Sequence, residues 1–236
     1  MASLRGTAAL AGTLLMGSLA CGSQPAGTPR SASAPVSDTT GVARRSAGDT
    51  VPGLPPAGYG TLRQDDISLR LASGNLQVRA TPLDESIIRL LSPDSYRAMS
   101  ELKRSKTEAI AAVGRRNAVR ELSVWYVSFF AFERGETRFS PREFIITNVG
   151  RDFRPLEVIP LTPGFGEQRL RQNGRQDALY VFDGRLDIQQ PLTIAYETAR
   201  NDGWSALLPQ IERERALVKS RAAAGRSPER IPDALE

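Results

Sequence analysis

The chain contains no histidine, and Cys21 is its single cysteine among 236 residues. Without histidine, the chain lacks the commonest general base near neutral pH and the commonest nitrogen ligand of metals. One cysteine cannot form a disulfide within the chain, a thiolate metal cluster or a Cys-x-x-Cys redox pair. These absences exclude Ser-His-Asp and Cys-His active sites, so an enzyme would depend on carboxylate, lysine, serine-lysine or tyrosine chemistry.

Concentrated charge is also missing. The formal charge of +5 comes from 31 basic residues spread among 26 acidic ones, and the longest basic clusters are pairs such as Arg115-Arg116. Nucleic-acid binders usually concentrate basic charge on one face or in runs, so we expect a solvated surface and no nucleic-acid partner. No phosphate loop and no dinucleotide glycine fingerprint occurs in the sequence, and therefore no cofactor is predicted.

The N-terminus has the layout of a secretory signal peptide. Within residues 1–20, the positive charge of Arg5 precedes an apolar stretch that ends near Leu19 and is closed by small residues. That stretch is too short for a permanent membrane span, and no other segment approaches the ~18 apolar residues that a transmembrane helix requires.

The end of this segment resembles a bacterial lipoprotein signal. Gly17-Ser18-Leu19-Ala20-Cys21 is similar to a lipobox, with Ser18 at the position that usually holds leucine. The resemblance implies that the Cys21 thiol carries a diacylglycerol that anchors the protein in the membrane. By the family's sorting rules, Gly22 implies a location on the periplasmic face of the outer membrane. The alternative is ordinary cleavage after Ala20, which would leave a soluble secreted protein with an unpaired Cys21.

Residues 21–58 follow as a tether. They are dominated by Gly, Ser, Pro, Ala and Thr and contain no aromatic residue before Tyr59. Such a composition cannot bury enough apolar area to offset its ordering entropy, so we expect lipidated Cys21 to continue into a disordered linker.

Alternating apolar residues predict a sheet-rich domain over residues 59–200. Ile67 to Leu71 and Leu76 to Ala80 flank a Gly74-Asn75 turn and predict a β-hairpin. Residues 122–132 are apolar on both faces, which indicates a central strand. Further short strands are expected at residues 143–148, 156–159, 178–182 and 192–196. About seven strands predict a mainly β fold, an antiparallel β-sandwich with an immunoglobulin-like architecture. Membership of the antibody-domain family is not predicted, because the Cys…Trp…Cys hallmark is absent.

Helices are predicted inside and after this sandwich. Ser92-Pro93 is a helix-start signal, the apolar spacing predicts a helix over about residues 93–113, and Gly114 is the expected stop. A shorter helix is expected within residues 84–91. Residues 201–236 are predicted to hold a C-terminal helix, from about 205 to 223, and a loose tail. Its expected apolar side is formed by Leu207, Leu208, Ile211, Leu217 and Val218, with Glu212 to Arg215 facing water.

The candidate recognition site is the loop of residues 161–176. Phe165 lies between two glycines, and Arg169, Arg171 and Arg175 follow it. Long loops with an aromatic residue and arginines are typical of binding surfaces. The structural alternative is an aromatic ring packed against the edge of the sandwich.

These features favour a non-catalytic, membrane-anchored envelope lipoprotein. Its sandwich is predicted to act as an accessory, assembly or partner-binding module with an envelope protein as partner. The alternative is a periplasmic lipoprotein that binds a small ligand or glycan through the Phe165 loop. A carboxylate-dependent hydrolase is a third hypothesis, and it needs two acids in one pocket. The adjacent acids Asp65 and Asp66 would diverge on a strand. No metal site is predicted.

Overall fold

The structure, a computed structural model, describes residues 52–225. The predicted signal peptide, the lipid attachment at Cys21, residues 22–51 of the predicted tether and the tail after residue 225 lie outside the described residues. The end of the predicted tether differs from expectation, because Pro55 is buried and its carbonyl accepts a hydrogen bond from Arg89 at 3.4 Å. Within residues 52–225, none of the helices combines the length and the apolar character that a membrane span requires.

The described chain is mainly β, as predicted, and every strand pair is antiparallel. A five-stranded sheet has the order β1-β2-β3-β9-β7, a four-stranded sheet has the order β11-β10-β5-β6, and β4 pairs with β8. The strands are β1 (Leu69–Ser73), β2 (Leu76–Pro82), β3 (Leu122–Ala131), β4 (Glu136–Arg138), β5 (Phe144–Asn148), β6 (Arg151–Phe153), β7 (Glu157–Pro160), β8 (Arg169–Arg171), β9 (Arg175–Asp183), β10 (Leu192–Tyr196) and β11 (Ala199–Asn201).

The first hairpin is present, as predicted, with one buried face. Ser73 pairs with Leu76 across the two-residue Gly74-Asn75 loop, and Leu71 faces Val78 on the buried side. The beginning of the strand was predicted too early, because Ile67 ends a 3-10 helix, Gln64–Ile67, and β1 starts at Leu69.

β3 is the central strand that the sequence predicts. It lies between β2 and β9, and it is buried on both faces over most of its length. On its inner face, the Phe129 ring lies 4.7 Å from the Phe139 ring and 5.5 Å from the Tyr196 ring of β10. Because β3 and β10 belong to different sheets, these aromatic contacts pack the two sheets face to face, consistent with a β-sandwich.

Three helices lie between β2 and β3 in the chain, and a fourth follows the last strand. They are α1 (Glu85–Ile88), α2 (Pro93–Ser105), α3 (Thr107–Asn117) and α4 (Trp204–Ala223). The single helix predicted over residues 93–113 is divided at Lys106. The prediction that Gly114 ends it is wrong, because α3 continues to Asn117 and leaves the helix at Ala118, which has a left-handed φ of 53°. Gly114 serves packing instead, since a Cβ there would lie 3.0 Å from the Val119 carbonyl oxygen.

α4 begins within one residue of the predicted position, but its buried side differs. Leu217, expected on the apolar side, is 43% exposed, whereas Glu214, expected in water, is only 5% exposed. The Glu214 carboxylate is buried because the Arg221 guanidinium pairs with it at 2.7 Å and Thr61 donates two hydrogen bonds to it. The sequence shows the charge pattern of α4 but not this partner, which lies 153 residues away.

The sandwich is joined along one side. Ser73 on β1 donates a hydrogen bond to Glu197 at 2.6 Å, and Asn201 on β11 donates to the Arg70 carbonyl of β1. On the other side, a short connection runs from β6 to β7, the edge strands of the two sheets. The candidate site lies beside this connection.

Candidate functional site

A cavity of about 580 Å³ opens where β7 meets two short 3-10 helices, Pro141–Glu143 and Phe165–Glu167. This volume lies within the range of pockets that hold small molecules, roughly 300–1,000 Å³. Half of the lining residues are apolar: Pro141, Pro155, Leu156, Val158, Pro160 and Phe165. The cavity therefore combines apolar side chains with a comparable share of polar groups.

Two buried tyrosines hold one wall of the cavity in place. The Ser140 amide donates to the Tyr196 hydroxyl at 2.8 Å, and the Tyr180 hydroxyl donates to the Pro141 carbonyl at 2.9 Å. Burial raises the pKa of Tyr196 to about 12 and that of Tyr180 well above its ordinary value. Both phenols are therefore neutral at physiological pH. Since one tyrosine belongs to each sheet, this wall is fixed to both.

The opposite wall is formed around Phe165. Its ring is 4% exposed and lies 5.2 Å from the Phe139 ring and 6.4 Å from the Phe129 ring. The Gln168 amide donates to the Phe165 carbonyl, and the Gln168 carbonyl accepts from the Phe139 amide at 3.0 Å. The aromatic core thus fixes Phe165 while part of it borders the cavity.

The charged groups at the cavity are mainly cationic. Arg142 and Arg154 line it and are exposed, and no other described residue makes a hydrogen bond or ion pair with either guanidinium. Glu157, the acid among the lining residues, pairs with Arg116 of α3 at 3.0 Å. Two arginines without a partner among residues 52–225, beside one paired acid, give the lining an excess of positive charge, which favours anions.

The structure separates the residues of the predicted recognition loop. Phe165 borders the cavity, but Arg169 and Arg171 lie on β8 with their side chains exposed, and neither lines it. Arg169 pairs with Glu136 of β4 at 3.2 Å, and Arg171 lies opposite Glu136 in the strand register. A recognition role for these three residues stays a prediction. Sequence reasoning missed Arg142 and Arg154. The proline next to each arginine is the only local sequence feature that distinguishes these two positions.

The adjacent acids Asp65 and Asp66 were expected on a strand, but both lie in the 3-10 helix before β1. Asp65 forms ion pairs with Arg70 at 2.7 Å and Arg79 at 2.8 Å, and the Asp66 carboxylate accepts from the Arg63 amide at 2.7 Å. Hydrogen bonding from Arg70, and then the charges of Arg70 and Arg79, hold the pKa of Asp65 below its usual range, although partial burial acts the other way. The two carboxylates therefore have separate partners.

Over the described part of the chain, no group of three or more His, Cys, Asp or Glu side chains is placed to hold a metal ion. No family model matches the sequence, and the comparisons with curated proteins and with solved structures gave no match. The cavity and the sequence of the N-terminus are therefore the features that bear on function.

Proposed function

We propose that the protein is a non-catalytic lipoprotein of the bacterial envelope, anchored through lipidated Cys21, whose sandwich binds an envelope protein as an accessory or assembly module. The observation that carries the binding role is the preformed cavity beside Phe165. Its walls are fixed by both sheets, so binding requires little reorganisation. The lipobox resemblance supports the anchor on the periplasmic face of the outer membrane. An immunoglobulin-like arrangement of the two sheets is part of the proposal.

The chemistry at the cavity supports binding over catalysis. A hydrolase of the carboxylate type needs two acids roughly 5–10 Å apart, one of them free to act as base or nucleophile. The lining residues include one acid, Glu157, and it already forms an ion pair with Arg116. Apolar walls with two arginines are the composition of a site that orients a partner group.

Binding of a small ligand is the second candidate, because the cavity volume of about 580 Å³ suits a complete small molecule. Both candidates can be tested with one photo-crosslinking experiment in intact cells. A photoreactive amino acid replaces Gly166, a lining residue at which an added Cβ would meet no atom within 4 Å. The matched control carries it at Arg97 on α2, whose side chain is 75% exposed.

One dominant protein adduct from position 166 and none from position 97 would support the partner-binding role. A small-molecule mass adduct on the intact protein, without a protein adduct, would favour the second candidate. The same adducts in equal amounts at both positions would contradict a specific role for the cavity.

The anchor is tested separately with Cys21→Ser. The variant should move from the detergent phase to the aqueous phase in a phase-partition experiment, since it lacks the thiol that receives the lipid. Ala20 and the rest of the signal are unchanged, so export remains possible. A variant that still partitions with membranes would contradict the lipid anchor.

A further inference from the structure

We propose that the cavity beside Phe165 takes a group with an anionic head and an apolar body, with Arg142 and Arg154 holding the head. The inference rests on the proposed function, because it assumes that this cavity is the binding site. The head is a carboxylate or a phosphate, and the group belongs either to a free amphiphile or to the carboxyl terminus of a partner chain.

The arginines account for the anionic head. Each guanidinium is planar and can donate two parallel hydrogen bonds to two oxygens of one carboxylate or phosphate. Both Arg142 and Arg154 are exposed and form no ion pair with any described residue. Binding an anion there therefore breaks no salt bridge within residues 52–225. Glu157 does not compete for them, since its partner is Arg116.

The remaining lining accounts for the apolar body. Leu156, Val158 and the fixed Phe165 offer aliphatic and aromatic contacts at the same cavity. Three prolines also line it, and proline has no backbone N–H to donate. These three positions therefore offer apolar contact without a backbone donor.

Proline also limits how a peptide can bind. β7 is the edge strand of its sheet, and an edge strand with unpaired backbone groups can accept an added strand. Pro160 in β7 removes one donor from this edge, which disfavours extended pairing. A chain terminus or a compact amphiphile fits these constraints better than a strand that runs along β7.

Two fluorescent probes of nearly equal shape test the inference. Anilinonaphthalene sulfonate carries an anionic group, whereas N-phenyl-1-naphthylamine has the same aromatic system without charge. The Arg142→Gln/Arg154→Gln double variant removes both cations. The control, Arg138→Gln/Arg200→Gln, makes the same charge change at exposed positions outside the cavity. Gly166→Trp adds a large side chain at a position that lines the cavity, and near-ultraviolet circular dichroism checks that each variant keeps its tertiary packing.

We expect the double variant to lose about tenfold or more in affinity for the sulfonate, because two charge-assisted contacts are removed. Its affinity for the neutral probe should stay within about twofold, and the control should bind both probes like the wild type. Gly166→Trp should weaken both probes. If the double variant binds the sulfonate like the wild type while Gly166→Trp weakens both probes, the anionic head is overturned and the cavity remains a binding site. If neither probe binds the wild type, the inference and the cavity-based function both fail.

Competitors that displace the sulfonate probe show whether the anionic head belongs to a free amphiphile or to a chain terminus. Octanoate and octyl phosphate should displace the probe, and octanol should not. Acetyl-Leu-Leu with a free carboxylate, but not its amide, should displace the probe if a chain terminus is the natural group. Equal displacement by octanol and octanoate would overturn the inference.

Discussion

The Glu214 carboxylate on α4 accepts hydrogen bonds from both the amide and the hydroxyl of Thr61, at 2.8 and 2.9 Å. The same oxygen accepts from Arg221, whose guanidinium also donates to the Tyr59 carbonyl at 2.8 Å. One buried carboxylate thereby joins the segment before β1 to the last helix. Removing it would take the acceptor from the Thr61 amide and the paired negative charge from the Arg221 guanidinium.

We expect Glu214→Ala to lower the free energy of unfolding by about 2–4 kcal/mol, because breaking a buried ion pair strands the remaining charge. The control is Glu212→Ala on the same helix. The Glu212 side chain is 57% exposed, so this change should alter the free energy of unfolding by less than ~0.5 kcal/mol. Urea denaturation of both variants measures the difference. Equal stability of the two variants would contradict a structural role for the buried carboxylate.

The end of α3 allows a paired test of two small residues. Ala118 adopts a left-handed φ of 53°, so Ala118→Gly should stabilise the protein by about 0.5–1 kcal/mol. Gly114→Val should destabilise it by about 1–3 kcal/mol, because its side chain would crowd the Val119 carbonyl and the Leu122 side chain. Thermal unfolding gives the sign of each change. A stabilising Gly114→Val would disprove the packing explanation for the glycine.

The β5–β6 turn contains a residue poorly suited to its backbone. Val149 and Gly150 form a two-residue loop in which both φ angles are positive, 49° and 71°, and Val149 is 70% exposed. Asn-Gly is the preferred sequence for such a turn. Val149→Asn should therefore raise the free energy of unfolding by about 1 kcal/mol. The control Val149→Ala keeps a Cβ and should gain less stability than Val149→Asn. If Val149→Asn is no more stable than the wild type, the turn explanation is contradicted.

The Asp65 ion pairs predict a pH dependence. The pKa of Asp65 is lowered in the folded protein, so its ionised form contributes stability above the ordinary carboxyl pKa, about 4, and this contribution is lost as the pH falls through the lowered value. Asp65→Asn should cost about 0.5–1 kcal/mol at pH 7, since the side chain is 53% exposed. The difference from wild type should shrink below pH ~4. A difference that stays constant from pH 7 to pH 3 would contradict this assignment.

Strongly periodic segments were predictable from the sequence. The first hairpin, β3 and α4 each repeat apolar residues over at least two periods, and their positions were predicted closely. Four strands of three residues, β4, β6, β8 and β11, were missed because three residues cannot establish an alternation. On α4, Ile211 and Val218 are buried as predicted, but the expectation that Glu214 faces water was wrong because a distant residue, Thr61, supplies its partner.

The candidate site was predictable only in part, for the same physical reason. The Gly-Phe-Gly sequence pointed to Phe165, which borders the cavity. Arg142 and Arg154 come from two other segments, which the sheet pairing and the buried tyrosines bring beside the Phe165 turn. No local pattern marks residues that become neighbours only through tertiary packing.

The bond between Thr61 and Glu214 also affects the order of folding. It joins residues 153 positions apart, so the loop it closes includes both sheets. Contacts between residues so far apart in the sequence form late, because other contacts must first offset the entropy lost in ordering the intervening chain. In a chain that emerges residue by residue, Thr61 therefore gains its carboxylate partner only after both sheets and α4 have been synthesised.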